Sequence, residues 1–155
     1  MRLGYWSRNA WKFLLALAGV IGLFGIGDVI VGVGADPAIA LSVTGLAPDE
    51  IRAMNEPVHG LIDLQVRAGG FHLIVMSALW TMLILVPLRR GEAWSWYALW
   101  TLPLWGLAVS VAFLVVELQP DQPAPPPAIS GWVFFGLASA LLWAARSGVT
   151  RSLSR

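Results

Sequence analysis

FLLALAGVIGLFGIGDVIVGV, residues 13 to 33, is an apolar run interrupted by a single acid, Asp28. Its length matches the ~20 residues that an α-helix needs to cross the hydrocarbon core of a bilayer. Three further runs of similar length follow, at 69 to 88, 94 to 116 and 129 to 145. Together they predict an all-α membrane protein, a bundle of four transmembrane helices. The charges between the runs are sorted. Arg2, Arg8, Lys12, Arg89, Arg90, Arg146, Arg151 and Arg155 fall on one side of such a bundle, and only Arg52 and Arg67 fall on the other. An excess of Lys and Arg marks the cytoplasmic face, so both termini are expected there. The acids sort the opposite way: Asp28, Asp36, Asp49, Glu50, Glu56, Asp63, Glu117 and Asp121 lie at or towards the outer face, and only Glu92 lies inside.

The chain has 155 residues, 57% hydrophobic and 12% charged, with a net charge of +1 that hides this polarity. Four spanning helices, two outer loops and one tight inner turn use that length, so a single transmembrane domain is expected over residues 1–155 with no separate soluble domain. There is no cysteine, which excludes disulfide exchange, thiolate nucleophiles and cysteine-ligated metals. Arg2 to Lys12 resembles a basic leader, and Val33-Gly34-Ala35 resembles a signal cleavage site. The first apolar run exceeds the ~7–15 residues of a signal core, so the reading adopted is a retained helix.

The four helices are expected at about 13–33, 57–88 (with 69–88 in the membrane), 94–117 and 129–145. In the first, Gly22, Gly25, Asp28 and Gly32 share about a third of the circumference at about 100° per residue. Such a stripe lets a neighbouring backbone approach closely and turns Asp28 into the bundle. The outer loop 36–57 is expected to hold a short amphipathic helix at 48–54, with Pro48 in its first turn and Asp49 and Glu50 at its positive end. Asn55 is a suitable cap for the second helix. Glu56, His59, Asp63 and Arg67 then follow at spacings of three, four and four, which places them on one stripe, while His72 points elsewhere.

The turn at 88–92 is short enough to make helices 2 and 3 an antiparallel hairpin. Trp94, Trp96 and Tyr97 follow it as an interfacial belt. Pro103, Gly106, Ser110 and Glu117 define a packed face of helix 3, with a bend at Pro103. The loop 119–127 holds five prolines and is expected to form a stiff extended strap. In helix 4, Trp132, Gly136, Ser139 and Trp143 share a face.

Asp28, Glu56, His59, Asp63, Arg67 and Glu117 are all placed near the outer interface, where they could converge on one outward-opening cavity. Ionisable groups at that depth face protein or water. Three readings follow. The cluster can pin helix ends through pairs of Arg67 with Asp63, Asp28 or Glu117. It can bind an anionic headgroup or carboxylate through the Arg67 fork. It can also be catalytic, with His59 or Glu56 as acid–base. No metal site is expected, because the cluster offers only one imidazole. His72, one turn further in, reads as a neutral side chain making one hydrogen bond. The nine tryptophans read as belt and packing residues. No phosphate-cradling loop, nucleophile elbow or HExxH is present, and no cofactor is expected.

Pro87-Leu88-Arg89-Arg90-Gly91-Glu92-Ala93-Trp94-Ser95-Trp96-Tyr97-Ala98-Leu99-Trp100, with Pro103 beyond it and Arg67-Ala68-Gly69-Gly70 before it, resembles the helix 2 to helix 3 hairpin of DoxX-like bacterial membrane proteins. The resemblance implies a small multi-pass protein of the bacterial inner membrane with its N-terminus inside. Some DoxX relatives are linked to redox or thiol-stress partners, and the lack of cysteine here argues against a direct redox role. The expected function is that of a non-catalytic accessory protein, or a small-ligand or lipid-binding protein, with an outward polar pocket. The alternatives are an oligomeric small transporter using Asp28 and a membrane-embedded enzyme acting on a lipid-like substrate. The expected partners are membrane lipids and a second copy or a larger membrane complex, with no nucleic acid.

Overall fold

The computed structural model describes residues 3–116, 118 and 120–150. Among them there is no strand. The helices are α1 (Leu3–Val31), α2 (Pro37–Thr44), α3 (Pro48–Met54), α4 (Glu56–Leu83), α5 (Ala93–Ala98), α6 (Thr101–Val115) and α7 (Pro126–Thr150), with a 3-10 turn at Gly32–Ala35 and a π turn at Ile84–Leu88. Four segments are long and apolar enough to cross a membrane: Asn9–Ala35, Glu56–Leu88, Ala93–Val115 and Pro126–Arg146. At most 28% of the most apolar stretch of any of these segments is buried inside the protein. Leu23, Phe24, Met82, Leu114 and Val133 are among the large apolar side chains left outside. A soluble monomer does not carry so much contiguous apolar surface, and lipid is the solvent that accommodates it. The chain is a multi-pass membrane protein.

α1 is the central helix and packs on α4 and α7, while α7 also packs on α6. The first seam follows the glycine stripe. A Cβ on Gly25 would sit 2.6 Å from the Gly70 carbonyl, and one on Gly70 would sit 2.7 Å from the Gly25 carbonyl, so the two backbones touch. Beside them, Ser77 Oγ donates to the Ala18 carbonyl at 2.7 Å. The second seam is similar. Gly106 and Gly131 face each other across α6 and α7, and Ser110 Oγ donates to the Pro127 carbonyl at 3.1 Å. Small residues and cross-helix hydroxyl bonds are the means by which helices associate where lipid removes the hydrophobic drive.

The hairpin expected between the second and third spans is held differently. α4 and α6 meet through side chains more than through backbone: Trp80, 1% exposed, donates from Nε1 to Thr101 Oγ1 at 3.0 Å. Its ring stands edge-on to Trp105, and Trp105 stands edge-on to Phe134 of α7, each pair with centroids 6.0 Å apart. Edge-to-face contacts of this kind suit the aromatic quadrupole. Leu14, Ala18, Ile21, Ile84, Leu99, Leu102, Ala138 and Leu142 complete that core. The turn itself closes at Gly91, whose φ is +78°. Gly91 N–H donates to the Leu88 carbonyl and Glu92 N–H to the Pro87 carbonyl, both at 3.0 Å, the paired bonds of a glycine-terminated helix.

The third span is broken into α5 and α6 just before Pro103. Proline has no N–H to give the Leu99 carbonyl, which accepts from Leu102 N at 3.0 Å instead. The Trp132, Gly136 and Trp143 face of α7 points outward, and Ala128, Gly131, Ala138 and Leu142 face the bundle. At the basic end, Arg89 lies over the Trp11 ring at 4.6 Å, and Arg146 lies over Trp143 and Trp96 at 5.2 and 5.8 Å.

At the other end the connections fold back over the bundle. α3 occupies the expected 48–54, and α2 is an addition, started by Pro37 and ended by Gly45 at φ +74°. Val33, Ala40 and Ile51 form a second small core against Leu46, Ile62 and Val66. The expected proline strap is shorter than its composition suggests, because Pro126 and Pro127 open α7. A first turn has no partner for its N–H groups, so proline is at no disadvantage there. What remains of the loop is tied to α2, since the buried Ser42 hydroxyl shares its proton between the Ala38 carbonyl at 2.5 Å and the Pro123 carbonyl at 2.9 Å.

Candidate functional site

α4 begins outside the apolar stretch because Asn55 caps it, its Oδ1 accepting from Val58 N at 3.2 Å. Nothing interrupts the helix at Gly69-Gly70, so Glu56, His59, Asp63 and Arg67 are carried on one rigid face towards the C-terminal end of α1. That end is where the chemistry concentrates. α1 stops at Val31, and Gly32 turns the chain at φ +68°. The last carbonyls of a helix lack intrahelical partners and carry its negative dipole end. Arg67 Nη1 donates to two of them, Val29 O at 2.5 Å and Ile30 O at 3.2 Å. Its Nε donates to Asp63 Oδ2 at 2.7 Å. The other Asp63 oxygen, Oδ1, accepts from Val33 N at 3.0 Å. One ion pair therefore satisfies orphan groups on both sides of the Gly32 turn, carbonyls with the guanidinium and an amide with the carboxylate. The side chains are 38% and 25% exposed, so water reaches this clasp without dissolving it.

Beside the clasp lies an open groove of about 430 Å³. Glu56, His59, Gly60, Asp63 and Arg67 form one wall, with Pro48, Asp49 and Arg52 of α3 facing them and Val31, Val33 and Gly34 closing the third side. Its volume lies within the ~300–1,000 Å³ of small-molecule clefts. Arg52 Nη2 lies 3.9 Å from Glu56 Oε1, both largely in solvent, so this pair is weak. Among the described residues, the side chains of His59 and Asp49 make no hydrogen bond, though the His59 N–H donates to the Asn55 carbonyl at 3.1 Å, and no trio of His, Asp or Glu is placed to hold a metal ion.

Four of the six residues expected to converge do so: Glu56, His59, Asp63 and Arg67. Asp28 stands apart, half-exposed beside Gly70, and neither lines the groove nor pairs with Arg67. Glu117 lies outside the described residues. His72 is on the exposed side of α4, its Nδ1 2.7 Å from the Ala68 carbonyl, which takes up one ring nitrogen within its own helix. The partners that sequence reasoning missed are backbone groups, the Val29 and Ile30 carbonyls and the Val33 amide. The signal that points to them is Gly32 at the end of the stripe, since a glycine just past a helix marks carbonyls in need of donors. Asp49 and Arg52 join the site only because α3 folds against α4.

The clasp makes a direct prediction. Arg67→Ala should lower thermal stability in detergent, because the Val29 and Ile30 carbonyls and Asp63 all lose their donor. Arg67→Lys should recover only part of it, since an ammonium lacks the rigid fork that serves carbonyl and carboxylate together. Adding Asp63→Ala to Arg67→Ala should cost less than the two single changes summed. Strict additivity in melting measurements would show that the pair does not act as a unit.

No protein-family model, no curated protein and no solved structure matches this chain.

Proposed function

We propose that this protein is a non-catalytic membrane protein that binds a small polar ligand or a lipid headgroup in the groove between α3, α4 and the end of α1. The observation that carries this reading is the groove's division of labour. Asp63 and Arg67 are engaged in holding the end of α1, whereas Asp49, Arg52, Glu56 and His59 face the same space without strong internal partners. A rigid wall beside uncommitted polar groups is what a binding site requires. The position of the groove at helix ends, away from the midplane where carriers place their substrates, weighs against a transporter using Asp28.

The orientation that accompanies this reading has both termini in the cytoplasm and the groove outside, on the strength of eight of ten basic residues at one end. The likeness of the 87–103 stretch to DoxX-like hairpins supports a bacterial inner membrane as its location, with lipids and a second copy or larger membrane complex as its partners. Single cysteines separate the orientations. Ser7→Cys should be protected from a membrane-impermeant maleimide in intact cells and Gln122→Cys should react, and the reverse pattern would turn the molecule over. The binding reading is tested by purifying the full chain in a mild detergent and identifying co-purifying small molecules by mass spectrometry. A molecule retained by the parent should be lost from Arg52→Ala and from His59→Ala, with helical content unchanged. If the same molecules accompany parent and variants alike, the groove is not the binding site.

A further inference from the structure

The charge on the groove is mixed. Asp49, Glu56 and Asp63 face Arg52 and Arg67, so a purely anionic ligand meets three carboxylates and a purely cationic one meets two guanidiniums. A ligand with both signs a few ångströms apart satisfies both sets. Arg67 also has a donor to spare, because Nη2 takes no part in the bonds to Asp63, Val29 and Ile30. The rim is apolar. Val31 lines the groove and is 54% exposed, and Ile30 beside it and Leu64 on α4 are 70% and 62% exposed. From Leu64 the exposed band runs on at spacings of seven, four and seven through Phe71, Val75 and Met82, a single lipid-facing flank of α4 that reaches the groove. A polar cavity opening onto such a band accepts an amphiphile better than a fully soluble molecule.

The cation of that amphiphile can be narrowed as well. Quaternary ammonium groups, which have no N–H to donate, are held by cages of aromatic rings. Among the described residues, no Phe, Tyr or Trp lines the groove. Carboxylates accept hydrogen bonds, and a primary ammonium offers three donors to them. Building on the binding reading above, we propose that the groove holds the headgroup of a phospholipid bearing a phosphate and a primary ammonium. The phosphate sits on Arg52 and Arg67 Nη2, the ammonium on Asp49 and Glu56, and an acyl chain runs along the Ile30, Leu64 and Phe71 flank.

Native mass spectrometry of the full chain in detergent, with phosphatidylethanolamine, phosphatidylcholine and phosphatidylglycerol of identical acyl chains, tests this. The ethanolamine lipid should be retained about tenfold more strongly than the other two, the effect of one charge-assisted hydrogen bond. Asp49→Asn with Glu56→Gln should bring it down to the level of the choline lipid, with circular dichroism confirming that both chains are folded. Equal retention of the ethanolamine and choline lipids overturns the proposal. If that equal retention is still lost in Arg52→Ala, headgroup binding in the groove stands and only the ammonium assignment falls. Retention indifferent to every groove variant sinks the binding reading as well. Phosphoethanolamine without acyl chains should fail to displace the lipid at equal concentration, and displacement would assign the site to a free zwitterion and overturn the membrane source.

Discussion

Gly25→Leu is expected to remove most of the folded protein from the membrane fraction, while Gly19→Leu, earlier on the same helix, should leave it nearly unchanged. The two glycines differ in what a side chain would meet. At Gly25 the first added carbon falls 2.6 Å from the Gly70 carbonyl and 2.8 Å from Leu73 Cβ, so the obstacle is the backbone of α4 and cannot rotate away. At Gly19 nothing lies within 4 Å. Overpacking a fitted core costs ~1–3 kcal/mol where side chains can shift, and a backbone obstacle puts Gly25→Leu at or beyond the top of that range. A change that touches nothing stays within about 0.5 kcal/mol. Separation of α1 from α4 would also break the Ser77 to Ala18 hydrogen bond and withdraw Arg67 from the end of α1. Monodisperse yield after detergent extraction reads the difference, and equal yields for the two variants would mean that the stripe is not a helix seam.

The second large effect is expected at Gly32. Its backbone sits at φ +68°, where an L-residue is disfavoured by ~1–2 kcal/mol. A Cβ there would also overlap Asp63 Oδ1 and approach Arg67 Nη2 to 2.8 Å, displacing the clasp that caps α1. Gly32→Ala should therefore destabilise more than the backbone term alone. Gly34→Ala is the matched control, since a Cβ at that position meets only Val31 Cγ1 at an ordinary 3.4 Å. Chemical denaturation of both variants in the same detergent checks this. If Gly32→Ala is no less stable than Gly34→Ala, the turn after α1 is not held by Asp63 and Arg67.

Much of this arrangement was legible one helix at a time. The glycine stripe on α1, the Asn55 cap, the short helix at 48–54 and the shared face of Glu56, His59, Asp63 and Arg67 each depend on residues within a few turns of one another, so spacing alone exposes them. Other features were hidden for a common reason. Asp28 lies on the same stripe as Gly25 yet stands apart from Arg67, and its separation depends on where the α1 to α4 crossing falls. Arg67 keeps the expected partner Asp63 on its own helix, but its partners on α1 are main-chain carbonyls, which every residue possesses and no residue type advertises. The Trp80, Trp105 and Phe134 contacts that join α4, α6 and α7 were equally unreadable, because an aromatic residue in an apolar run looks the same whether it meets lipid or a neighbouring ring.

By itself, then, the sequence determined that this chain has four helices able to span a membrane, which end carries the basic residues, and which small-residue face of α1 a neighbour would use. Those properties are sums along a single segment: length against bilayer thickness, charge against position, size against helical period. Only the tertiary structure decided that Asp63 and Arg67 cap the end of α1, that α3 brings Asp49 and Arg52 to face Glu56 and His59, and that the space between them is an open groove beside an apolar flank. These depend on backbone groups and on helices far apart in sequence approaching at one crossing, and the position of that crossing is set by how closely Gly25 and Gly70 allow two backbones to meet.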